Sequence, residues 1–168
     1  MTAAVFLMFS FSLFLDLVFR SHGILSVFTP FCIFYYTVVL NWKTALALAI
    51  AAAIPAAMFA GSAWPFDLIT YPAVSGLSLW NRRKTGPAGP SLRRHLLCGT
   101  LIPILIFGPN ALTLSLDTLL AFLAWLPPLC VLSAVLLPAV LYLLDLSAEK
   151  LGLPLYNDTI RERENPPL

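Results

Sequence analysis

Residues 119–144 read LLAFLAWLPPLCVLSAVLLPAVLYLL. None of these twenty-six positions is charged, and only Ser133 and three prolines interrupt the apolar run. A helix over this stretch is about 39 Å long at 1.5 Å of rise per residue. That exceeds the roughly 30 Å hydrocarbon core of a bilayer, which about 20 apolar residues already cross. The rest of the chain has the same character. Of its 168 residues 60% are hydrophobic and 11% charged, and the mean hydropathy is +0.88. Soluble domains carry about 25% charged residues, and a soluble domain of this length has too much surface to hide so much apolar material. A bilayer removes that difficulty by acting as the solvent.

Toward the N-terminus, further apolar segments follow one another with little between them. Leu96–Phe107 is broken at its end by Gly108, Pro109 and Asn110, and 112–117 alternates apolar and small polar residues, as an interfacial strand or a capped helix start does. Asn81–His95 is the most polar interior stretch. Leu68–Trp80 follows a loop at Gly61–Asp67, where Gly, Trp-Pro and Asp cluster. Thr44–Ala60, Ile24–Leu40 and Ala3–Phe19 complete the set. The expected fold is all-α, a polytopic bundle of about six transmembrane helices (five to seven) over residues 1–146. A cytoplasmic tail, 147–168, follows, and its end from Asn157 has the composition of a disordered segment. Residues 1–4 lack the basic residues of a signal peptide, so the first helix is read as retained. Prolines 30, 55, 72, 127 and 138 predict bends.

Basic residues set the orientation. With the N-terminus in the cytoplasm and six spans, Lys43, Arg82, Arg83, Lys84, Arg93, Arg94, Lys150, Arg161 and Arg163 fall inside and only Arg20 outside. Trp42, Trp64 and Trp80 sit at segment ends, where amphipathic rings favour the headgroup zone. The loop bearing Arg82, Arg83, Lys84, Arg93 and Arg94 is either a topology determinant or a surface for anionic headgroups.

Between membrane helices small side chains permit close approach. Ala45, Ala49, Ala53, Ala57 and Gly61 recur every fourth residue and form one ridge; Ala52, Ala56 and Ala60 form a second beside it. The alanine-rich helix is therefore expected at the close-packed centre.

Ionisable groups in the apolar zone are costly. Asp16, four residues before Arg20, is expected to pair with it across one helical turn. Asp67 and Asp117 lie beside helix ends, where capping is their expected role. These four form the candidate polar or partner site. Asp145 is expected at an interface, and His22 and His95 fall on opposite sides. The serines at 10, 12, 75, 78 and 133 are expected to bond their own helix backbone. The three cysteines have no metal or disulfide spacing and read as packing residues. No catalytic motif, metal site, cofactor site or nucleic-acid signature stands out.

The stretch from Thr29-Pro30-Phe31 through the alanine-rich helix to Ala60-Gly61, then Asp67, Tyr71-Pro72, Gly76 and Trp80-Asn81-Arg82-Arg83 resembles the rod-shape-determining membrane protein family MreD. That resemblance covers about a third of the chain and is one of pattern. It departs in having alanines and Pro55 where the family has a glycine-rich helix. It implies a non-enzymatic scaffold of the cell-elongation machinery, with a bundle similar to vitamin-transporter substrate-binding subunits. The partners it implies are a MreC-like protein and peptidoglycan synthases. A second reading is a transporter subunit for a vitamin-like solute, lined by Trp64, Asp67, Asn110 and Asp117. A membrane enzyme is the third.

Overall fold

The computed structural model describes residues 2–22, 26–40, 42–60, 65–84, 92–150, 152 and 155–156. Among the described residues the chain is all-helical, with six helices and no strand. They are α1 (Thr2–Ser21), α2 (Phe28–Val39), α3 (Trp42–Ala60), α4 (Asp67–Lys84), α5 (Leu92–Ala111) and α6 (Leu116–Lys150). By length and composition α6 is long and apolar enough to cross a membrane; Phe28–Val39 and Trp42–Met58 are shorter apolar helices.

α1, α4, α5 and α6 exceed their apolar runs at both ends, whereas α2 begins only at Phe28. α4 continues through Asn81 to Lys84 and α5 begins at Leu92, so the polar stretch 81–95 is helical at each margin. Polar side chains still complete a helical turn where the backbone hydrogen bonds persist, which hydropathy alone does not register. α6 runs unbroken through Pro127, Pro128 and Pro138. Residues 112–114 form a turn before it, not a strand. Pro30 is the third residue of α2, in the first turn, where an absent N–H removes no intrahelical bond. The bend expected there has no cause.

The close-packed centre is α2, not α3. Every residue from Thr29 to Val38 is buried, because α2 packs on α1, α3, α4 and α6. Phe31, Ile33, Phe34 and Val38 are the large side chains of this core. α3 instead flanks it with one face. Ala45, Ala49, Ala52, Ala53 and Ala56 are buried and Ala57 half-buried, while Ile50, Ile54 and Met58 point outward. Small residues bring α3 close to its neighbours, but a helix whose side chains are mostly methyl groups has little to fill a centre with. Gly61 lies outside the described residues.

α6 packs chiefly on α5. Its buried residues Ser133, Ala134, Leu137, Leu141, Leu144 and Ala148 form one stripe. The closest approach is at Gly99, where an added Cβ would lie 2.6 Å from the Ala134 Cα and 2.7 Å from the Ser133 carbonyl oxygen. Past α6 the chain turns at Gly152, whose φ of +62° suits glycine, and Tyr156 re-enters the core, almost fully buried. The division into a bundle ending at 146 and a tail from 147 thus fails to anticipate Tyr156. The segment 157–168 lies outside the described residues.

Candidate functional site

Two clusters of buried polar side chains occupy opposite ends of the bundle. At the first, α1 ends where α2 and α4 begin. Asp16 is 1% exposed. Its Oδ1 accepts from the Ser26 hydroxyl (2.5 Å) and the Phe28 N–H (3.1 Å), and its Oδ2 accepts from the Thr29 N–H (2.7 Å). Val27, at the N-cap of α2, makes no side-chain cap bond. The carboxylate of another helix therefore does the work of a cap, and its charge meets the positive end of the α2 dipole.

Asp16 does not pair with Arg20 as helical spacing predicts. Its lone pairs are directed at α2, and Arg20 turns to α4. There Nη1 lies 3.3 Å from Asp67 Oδ2, and Nη2 donates to Asp67 Oδ1 (3.5 Å) and to the Tyr71 hydroxyl (3.1 Å). Asp67 occupies the first turn of α4, but its carboxylate takes the guanidinium rather than acting as a cap. Asp117 is exposed in the first turn of α6 and does not join this cluster. The structure thus assembles Asp16, Arg20 and Asp67 around the entry to α2 and leaves Asp117 apart.

The Arg20–Asp67 pair makes a specific prediction. Arg20→Met strands a buried carboxylate, because both partners are largely removed from solvent. It is expected to destabilise the protein by about 2 kcal/mol in a detergent-solubilised unfolding titration, below the range for fully buried pairs because the contacts are long. Arg20→Met/Asp67→Leu should recover most of that loss. A double variant no better than the single one refutes the coupling.

At the other end Tyr156 is the hub. Asn81 Nδ2 donates to its hydroxyl (3.3 Å), and His95 Nε2 lies 3.2 Å from the same oxygen. Burial pushes the phenol above its ordinary range, so it stays protonated. The phenol oxygen can take a second bond beside that from Asn81, so it pairs with Nε2 in either His95 tautomer. The Asp145 carboxylate accepts from the Tyr35 hydroxyl (2.9 Å) and the Tyr156 N–H (2.7 Å), and the two tyrosine rings stack at 5.9 Å. Asp145 therefore joins α2, α6 and the returning chain. Beside it is a pocket of about 230 Å³ lined by Leu92, His95, Tyr142, Asp145 and Tyr156 among others.

Sequence reasoning missed Tyr35, Tyr71, Asn81 and Tyr156. A signal was present, since a tyrosine in an apolar segment carries a hydroxyl that needs a partner. Ser12 bonds its own helix at Phe9, but Ser78 donates across to the Phe34 carbonyl at 2.6 Å. Ser75 and Ser133 are buried, and their hydroxyls have no partner among the described residues. His22 and His95 sit at opposite ends. Arg93 is exposed and Arg94 half-buried at the start of α5, Arg82 is half-buried near the end of α4, and the side chains of Arg83 and Lys84 lie outside the described residues, as does Trp64. Among the described residues no three of His, Cys, Asp and Glu converge as a metal site.

Comparison with protein-family models, curated proteins and solved structures gives no match.

Proposed function

We propose that the chain is a polytopic protein of a bacterial cytoplasmic membrane, with both termini cytoplasmic, acting as a non-enzymatic scaffold of the cell-elongation machinery in the manner of the MreD family. The observation that carries the membrane reading is how side chains are sorted. Leu7 (70% exposed), Met58 (78%), Ile69 (72%) and Val131 (65%) lie outside on four different helices, while Asp16, Asp67, Asn81 and His95 lie inside. Water-soluble monomers rarely expose apolar patches beyond a few hundred Å², whereas lipid favours such an exterior.

The geometry of α2 supports the same reading. Its 12 residues extend about 18 Å, less than the hydrocarbon core, so the non-helical backbone at its ends completes the crossing. Irregular backbone at membrane depth is tolerated only where protein surrounds it. α2 is enclosed, and Asp16 satisfies the N–H groups at its entry. Charge agrees as well. Hydrogen bonds join the end of α4, the start of α5 and the chain beyond α6, which gathers Arg82, Arg93, Arg94 and Lys150 at the end opposite Arg20. Basic residues favour the cytoplasmic side.

The scaffold reading gains support from how the polar groups are used. Of the residues that favour a solute carrier, Asp67 is engaged by Arg20, Asn110 donates within its own helix to Ile106, and Asp117 stands apart. The pocket at the other end is smaller than the 300–1,000 Å³ usual for small-molecule sites. A protein that holds its own groups together and shows apolar faces outward is suited to contact partner helices, a MreC-like protein and peptidoglycan synthases among them.

Two measurements test this. Fusion reporters after Phe66 and after Lys84 should appear on opposite sides of the membrane, and the same side for both removes the topology. Deleting the gene should round rod-shaped cells; unchanged shape and growth remove the elongation role while leaving the topology intact.

A further inference from the structure

The pocket of about 230 Å³ beside Tyr156 lies between the start of α5 and the later part of α6. Leu92 and Tyr142 are 62% and 69% exposed and belong to its wall, so its mouth opens on the flank of the bundle. Charges fix its level. Arg93 follows Leu92, Glu149 and Lys150 follow Asp145 by little more than a turn, and all three are exposed. Such groups are costly in hydrocarbon and well placed beside headgroups. In the membrane reading the mouth therefore meets the polar rim of the cytoplasmic leaflet.

The lining selects a cation. Asp145 supplies a carboxylate, and among the described residues no lysine or arginine lines the pocket. The Tyr35 hydroxyl and the Tyr156 N–H that Asp145 accepts from are neutral donors, and a carboxylate has lone pairs for further ones. The rings of Tyr142 and Tyr156 share the wall, and aromatic faces attract cations. At the mouth the sign reverses. α5 begins at Leu92, where the first turn of a helix offers N–H groups without intrahelical partners and the positive end of its dipole. Arg93 adds a full charge there.

We infer that this pocket holds the headgroup of an aminophospholipid, with the primary ammonium at Asp145 and the phosphodiester at the mouth beside Arg93. The inference rests on the membrane reading above. A negative interior and a positive mouth match a zwitterion whose two charges are separated by two carbons. An ammonium with N–H groups can donate to the carboxylate in charge-assisted bonds; a trimethylammonium has no N–H to donate, and a headgroup without an amine brings no cation. The volume, small for a drug-sized ligand, suits a headgroup whose acyl chains stay outside. Those chains have an apolar path, since Val131 and Val135 are exposed and lie by spacing on the Tyr142 side of α6.

The test uses the full-length chain, purified in detergent, delipidated and equilibrated with equimolar phosphatidylethanolamine, phosphatidylglycerol and phosphatidylcholine. Bound lipid is read by native mass spectrometry. The parent should retain phosphatidylethanolamine about tenfold over each of the others, the effect of one charge-assisted hydrogen bond. Asp145→Asn, which keeps an acceptor for Tyr35 and removes the charge, should abolish that preference. Because Asp145 also ties the fold together, two exposed positions carry the test independently. Tyr142→Leu should weaken the preference and Leu92→Trp, which fills the mouth, should abolish it, while Met58→Trp on α3 leaves it intact. Equal retention of the three lipids by the parent, or a preference that survives Leu92→Trp, overturns the site. Phosphoethanolamine without acyl chains should displace the lipid only at more than about tenfold excess, because it buries less apolar surface. Displacement at equal concentration overturns a lipid as the occupant. Retention of the chain in carbonate-washed membranes is scored in parallel. Loss there overturns the membrane reading itself, whereas retention with equal binding of the three lipids overturns the headgroup site alone.

Discussion

Gly99→Ala is expected to destabilise this protein by at least about 3 kcal/mol, while Gly76→Ala leaves it unchanged or slightly more stable. Both glycines lie inside helices, α5 and α4, where alanine is intrinsically favoured by up to about 1 kcal/mol. The difference lies in what a methyl group meets. At Gly76 nothing lies within 4 Å. At Gly99 the methyl carbon would lie 2.6 Å from the Ala134 Cα and 2.7 Å from the Ser133 oxygen, and both are backbone atoms of α6. No rotamer relieves such a clash, so the two helices must separate. Overpacking typically costs about 1–3 kcal/mol when side chains can adjust, and this site exceeds that because they cannot. α6 depends on α5 for most of its packing, so the separation also draws Asp145 away from Tyr35. Unfolding of the two purified variants by SDS titration in mixed micelles measures both signs. A Gly99→Ala protein as stable as its parent would mean that α5 and α6 do not meet at Gly99.

The contrast between those two glycines shows where sequence reading stops. Periodicity along one helix is local, so the face of α3 that carries Ala45, Ala49 and Ala53 could be drawn from spacing alone. Nothing local distinguishes Gly99 from Gly76, because the distinguishing atoms are 34 and 35 residues away at Ser133 and Ala134. The same limit explains Arg20. Its nearest acid along the chain is Asp16, and i,i+4 geometry favours the pair, yet its acceptor is 47 residues on at Asp67. Tyr156 lies in a segment of mixed composition, and only the convergence of Asn81, His95 and Asp145 gives it a buried site. The centre of the bundle is hidden from the sequence for a related reason. Small residues announce close approach, but which helix is surrounded depends on how many neighbours it has, and α2 has four.

Asp16→Ala is expected to cost about 4 kcal/mol, the other large effect. The carboxylate accepts three hydrogen bonds, from the Ser26 hydroxyl and from the N–H groups of Phe28 and Thr29. Losing a cap alone costs about 0.5–2 kcal/mol. Here the freed donors are at least partly buried, and an unsatisfied buried donor adds about 1–3 kcal/mol. Asp16→Asn distinguishes capping from simple charge. Asparagine keeps the shape but replaces one acceptor with an NH₂ group, which then faces either the Thr29 N–H or the Ser26 and Phe28 donors. A capping role therefore predicts that Asp16→Asn costs clearly less than Asp16→Ala, about half of the alanine penalty, because one acceptor oxygen remains. A role in balancing the charge of Arg20 predicts instead that Asp16→Asn behaves like Asp16→Ala and that Arg20→Met suppresses both. The geometry favours the first outcome, since Arg20 directs its guanidinium to Asp67 and Tyr71. Unfolding titrations of the two single variants and of each combined with Arg20→Met separate the cases. Penalties that add independently of Arg20 fix Asp16 as the cap of α2, and suppression by Arg20→Met removes that role.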